Sequence, residues 1–119
     1  MHIRHKDDCT PIGSAHGEIV YELAGRAAGG AVRHSVAHIE LPPGKASRKH
    51  YHPEAEESYY ILSGVGRLEL DGETVRLHPG QLVAIAPPGV HQIFNDGPEP
   101  LHFLAICAPA WTPDNSVYL

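Results

Sequence analysis

The chain has 119 residues, 42% hydrophobic and 19% charged, which is enough for one packed core and too apolar for a disordered chain. A net charge of −5 with no cluster of Lys or Arg excludes a nucleic-acid phosphate surface, and no run reaches the ~20 apolar residues of a membrane span. The opening Met1-His2-Ile3-Arg4-His5-Lys6 lacks the apolar stretch of a secretion signal, so the expected compartment is the cytoplasm, with Cys9 and Cys107 as reduced thiols.

In chain order, the polar stretch 1–16 is expected to form a loose arm or an added edge strand, with His2, His5 and His16 in solvent. Strands follow at Glu18–Leu23 and, after a flexible Gly25–Gly30 loop, at Ala31–Leu41, which ends at Pro42-Pro43-Gly44. Further alternating or β-branched runs are Ser58–Leu62, Gly66–Leu70, Thr74–Leu77, Leu82–Ala86, His91–Asn95 and Leu101–Cys107, broken at Pro79-Gly80, Pro87-Pro88-Gly89 and Asp96-Gly97-Pro98. Asp71-Gly72 supplies the positive-φ residues of a tight hairpin between two of these strands. No segment has helical periodicity, so the fold class is all-β. The tail 109–119, with Trp111, Tyr118 and two prolines, is expected to pack against something.

Ten histidines against two cysteines make histidine placement the informative feature. His50 and His52 stand at i and i+2, so on an extended strand both imidazoles leave the same face. Glu54, Glu56 and Glu57 crowd the next turn. The start of the apolar run and the gap to Gly64 favour Glu57 as a third ligand, and His91, launched by the Pro87-Pro88-Gly89 turn, is a fourth. Three imidazoles and one carboxylate suit one divalent transition metal (Fe, Mn, Ni, Cu, Co or Zn) and suit Mg or Ca poorly.

These residues resemble both signature motifs of the cupin superfamily over about half the chain. The first, G-x5-H-x-H-x(3,4)-E-x6-G, reads Gly44, His50, His52, Glu57 and Gly64 with every spacing kept. The second, G-x5-P-x-G-x2-H-x3-N, keeps Gly80, His91 and Asn95, while its turn slides by one residue to Pro87–Gly89 and Ala86 stands where proline is usual. Fifteen residues separate Gly64 from Gly80, as in compact bacterial cupins. The resemblance implies a cupin double-stranded β-helix, or jelly-roll barrel, with the metal inside its mouth. It divides the chain into an N-terminal arm and edge strand (1–30), the barrel (31–108) and a C-terminal packing tail (109–119). By the same analogy the protein is expected to be a homodimer.

Function is expected to be that of a metal-dependent enzyme acting on a small polar metabolite, as an oxygenase (a dioxygenase if the metal is Fe), an isomerase or a lyase. The alternative is a cupin that binds or senses a small, sugar-like ligand without turning it over. Besides Glu57, the expected acid/base groups are Tyr59 and His38. Tyr59, Ile61, Glu40 and His102 are the expected substrate contacts. Tyr59 and Ile61 share parity with Glu57, whereas Tyr51, Tyr60 and Leu62 are expected to face away. His34 shares parity with His38, which raises the prospect of a second metal or an acid/base role there.

Overall fold

The computed structural model describes residues 1–13 and 17–119, so the expectation for His16 lies outside the described residues. Among the described residues, eleven strands, β1 (Ile12–Gly13), β2 (Ile19–Ala24), β3 (Ser35–Leu41), β4 (His50–Tyr51), β5 (Glu56–Ser63), β6 (Gly66–Leu70), β7 (Glu73–Leu77), β8 (Leu82–Ile85), β9 (His91–Phe94), β10 (Leu101–Ala108) and β11 (Val117–Tyr118), form two antiparallel sheets. One runs in the order β1-β2-β3-β10-β5-β8 and the other β11-β4-β9-β6-β7. Among the described residues the helical content is two three-residue 3-10 turns.

The sheets face each other because alternate side chains on each strand are apolar. On β10 the inward positions Leu101, Phe103, Ala105 and Cys107 are buried, and their neighbours are half-buried. Leu101, Phe103 and Ala105 meet Leu41, Ile61, Leu68, Ile85 and Ile93 in one core. Burying each large apolar side chain there contributes about 1.5–3 kcal/mol.

Asp71 and Gly72 both take positive φ, 49° and 84°, and close the β6–β7 hairpin with Leu70 opposite Glu73. One strand expectation and one loop expectation differ from the structure. The run expected from Ala31 becomes a strand only at Ser35, leaving His34 exposed just before it. The Gly25–Gly30 loop is closed by reciprocal backbone hydrogen bonds between Gly25 and Gly29. The N-terminal arm does contribute an edge strand, β1, beside β2.

The two halves of the motif pattern are joined by backbone. Gly44 N donates to Asn95 O at 2.9 Å and Asn95 N to Lys45 O at 2.9 Å. Buried Asn95 donates Nδ2 to both Leu41 O and Glu99 O, while its Oδ1 accepts from Gly97 N. Ser47 is bonded to Ile93 in both directions. Residues 44–48 are thereby laid along β9, which puts His50 directly opposite His91 in the sheet.

Candidate metal centre

One ligand atom from each of His50, His52, Glu57 and His91 lies within 4.8 Å of all the others. The first pair comes from β4 and the residue after it, His91 opens β9, and Glu57 reaches across from the facing sheet on β5. The slid turn before His91 has its own anchorage. Val90 N donates to Asp71 Oδ1 and Asp71 N to Val90 O, both at 2.9 Å, tying the strand start to the β6–β7 hairpin. Gly89 is required there, since a Cβ would meet Ala86 O and Leu70 Cδ1 at 2.9 Å.

Each imidazole donates its Nδ1–H to a backbone carbonyl: His50 to Arg48 O at 2.8 Å, His52 to Asn115 O at 2.9 Å and His91 to Gly89 O at 2.8 Å. That fixes the tautomer and leaves Nε2 as the free ligand atom, the usual outer support of a metal-bound histidine. His52 Nε2 and His91 Nε2 stand 3.2 and 3.1 Å from Glu57 Oε1. Two ligands at right angles on a metal at ~2.1 Å are separated by roughly 3 Å, so the spacing fits. Glu57 Oε2 is occupied separately by the Cys107 thiol, which donates to it at 3.0 Å, so Oε1 is the oxygen presented to the centre.

The electrostatics follow from burial and mutual contact. Burial pushes the Glu57 carboxyl up, but its close contacts with the His52 and His91 rings outweigh that and hold the group well below the usual carboxylate range. Burial works against the protonated form of His52, yet the Glu57 contact leaves its pKa raised. For His50 burial dominates, with His91 adding to it, and the pKa falls to about 4. Burial also pushes up the Cys107 thiol and, with the Glu57 charge, the Tyr59 hydroxyl, so both remain protonated donors.

Three of the four, His50, His52 and Glu57, line a cavity of about 480 Å³. Tyr59 lines this cavity, 3% exposed, with its ring 5.9 Å from that of His91. Ile61 points inward too, but it is fully buried in the core and not on the cavity wall. His38, Glu40 and His102 are not brought to the site. On β3 and β10 the cavity takes the opposite parity, through Ala37, Ile39, Phe103 and Ala105. The three polar residues lie together on the other face, with His38 Nε2 3.0 Å from His102 Nδ1 and His102 Nε2 3.5 Å from Glu40 Oε1.

Sequence reasoning missed Cys107, Arg48 and the tail as parts of the site. The signal for Cys107 was its shared parity with Phe103 and Ala105. The tail folds back so that Trp111, Pro113, Ser116 and Tyr118 line the cavity, and β11 pairs with β4, placing Tyr118 opposite His50.

Comparison with known proteins extends the pattern. The Cupin domain family matches residues 37–107. An uncharacterized protein of Methanocaldococcus jannaschii is 32% identical over 113 residues, 95% of this chain and 90% of that one. Among solved structures, a predicted oxalate decarboxylase from Thermotoga maritima superposes with a TM-score of 0.80 at 27% identity, over 92% of this chain and 99% of that one. A sugar phosphate isomerase from Silicibacter pomeroyi gives a TM-score of 0.77 at 27% identity, over 95% and 78%.

Proposed function

Since this chain belongs to the cupin family, we propose that it is a metal-dependent enzyme that holds one divalent transition metal (Fe, Mn, Ni, Cu, Co or Zn) through His50, His52, Glu57 and His91 and acts on a small metabolite. The observation that carries this reading is the set of three imidazoles, each tied at Nδ1 to a backbone carbonyl and aimed with Glu57 Oε1 at one point beside the cavity. Such an ion supplies Lewis-acid chemistry or, for Fe, chemistry with dioxygen. The chain's own contribution is orientation and proton placement. Glu57 is kept ionised, Cys107 holds its outer oxygen, and the protonated Tyr59 hydroxyl is the donor beside the centre. Oxygenation, isomerisation and lysis are all compatible with that equipment.

Elemental analysis of protein purified without added metal tests the reading. About one transition-metal ion per chain, lost in the His50→Ala/His91→Ala double variant, is the expected result. A wild type that is metal-free and takes up none of the six ions sinks it. A second reading, binding without turnover, is favoured by the apolar cavity wall and by the outward placement of His38, Glu40 and His102. Metal-loaded protein that binds ligands but returns every one unchanged would select it. A cytoplasmic homodimer belongs to the same proposal. Half-exposed Tyr60, Leu62 and Leu82 on the outer sheet face support the dimer, and light scattering checks it.

A further inference from the structure

The cavity is asymmetric in chemistry. His50, His52 and Glu57 line one part of it, while Val20, Ala37, Ile39, Phe103, Ala105 and Trp111 make an apolar wall contributed by β2, β3, β10 and the tail. Among the lining residues Arg48 is the one Lys or Arg side chain, and its guanidinium is stacked 4.0 Å over the Tyr118 ring. Two carboxylates besides Glu57, those of Glu18 and Glu22, also line the space.

From this we propose that the cavity selects a metabolite with a chelating oxygen head, a hydroxy acid or enol, carried on a hydrophobic ring-sized body, and discriminates against phosphorylated sugars. The inference rests on the metal reading above and names the substrate class of that site. A phosphate dianion is recognised by several convergent charge-assisted donors, whereas here the lining offers one arginine, itself stacked on the Tyr118 ring. A sugar ring would also leave its hydroxyls facing Val20, Ile39 and Phe103 without partners, a desolvation cost that an apolar body avoids. At the other end, neutral imidazoles and one carboxylate leave a divalent ion with a net positive charge, which an anionic oxygen pair neutralises. A cavity of about 480 Å³ is within the usual ~300–1,000 Å³ of ligand sites and has room for far more than a two-carbon acid.

The test is calorimetric titration of zinc-loaded protein with three probes: 1-hydroxy-2-naphthoate, glycolate (the same kind of head without the body) and mannose 6-phosphate. The naphthoate is expected to bind at least about tenfold more tightly than glycolate, the body adding burial that the small acid lacks. Mannose 6-phosphate is expected to bind no better than glycolate. In Val20→Asn, a half-buried wall position, the naphthoate-to-glycolate ratio falls toward one while zinc content stays at one per chain. Equal binding of naphthoate and glycolate by zinc-loaded wild type, or tightest binding of mannose 6-phosphate, overturns this inference and leaves the metal reading intact. Zinc content is measured before any probe is added, so a chain that takes up no zinc reveals failure of the metal reading, and of the chelating head with it, as a separate result.

Discussion

At the scale of single residues, the centre is a set of groups whose protonation states are imposed by neighbours, and this makes metal-free protein sensitive to pH. His50 has a folded pKa near 4, below its unfolded value near 6.5, so between those limits the unfolded chain binds a proton that the folded one does not. Stability therefore falls as pH drops from 6.5 to 4. Glu57, depressed in the fold, extends the loss at lower pH. His52 is raised, so its contribution is fully present below 6.5 and is lost as pH climbs through its folded pKa. Urea midpoints of metal-stripped protein should thus peak near neutrality, at about pH 6–7, and a profile rising steadily toward pH 4 would contradict this assignment. Side-chain direction was partly legible in sequence. The His-x-His spacing and the distance to Glu57 identified residues that do come together. His38 and Glu40, though, alternate with Ala37, Ile39 and Leu41, and the apolar set takes the interior, a signal that outweighs the chemical appeal of a histidine.

At the scale of elements, the turns that hold the site depend on glycines that are not equivalent. Gly44 and Gly64 both take positive φ, 78° and 82°. A Cβ at Gly44 would meet nothing within 4 Å, so Gly44→Ala should cost only the backbone strain of about 1–2 kcal/mol. At Gly64 it would press on Pro100 O at 2.6 Å and Leu101 Cα at 2.9 Å, backbone atoms that cannot swing aside. Gly64→Ala should therefore cost roughly 2–5 kcal/mol, strain plus overpacking, and chemical denaturation of the two variants side by side checks the order. The tail is the second element with a measurable role. Because Asn115 O holds the His52 ring, deleting residues 112–119 should weaken metal affinity by about 10–100-fold in a chelator competition while leaving both central sheets folded. The long strands could be read from alternation, whereas β1, β4 and β11, each of two residues, are too short to show a period of two. They exist because partners elsewhere in the chain pair with them.

At the scale of the whole molecule, loading and stability are linked. An ion that binds the folded centre and ignores the unfolded chain adds RT ln(1 + [M]/Kd), about 2.7 kcal/mol at a hundredfold excess over Kd. Thermal melts should accordingly rise with each correct metal, and the His50→Ala/His91→Ala variant should show no such rise. Fold class and the location of the site were available from spacing and punctuation because both are repetitive properties of the sequence. The closure of the cavity by the tail was not, since Trp111 and Tyr118 carry no sign of which surface they will meet.

The strand order has a consequence for how the molecule comes into being. In the larger sheet β3 lies against β10, pairing Ser35 with Cys107 and Leu41 with Leu101, so the middle of the sheet joins segments about sixty to seventy residues apart. Topologies dominated by such distant pairings pass a slow, entropically costly search, on the order of milliseconds to seconds. Until it ends, the nascent protein offers an ion only the two-histidine fragment around Tyr51, a weak and unselective chelate. On the proposed metal reading, discrimination among metals would be postponed until the search is over, and stopped-flow refolding should proceed at the same rate with or without the ion, which would then lengthen only the lifetime of the finished barrel.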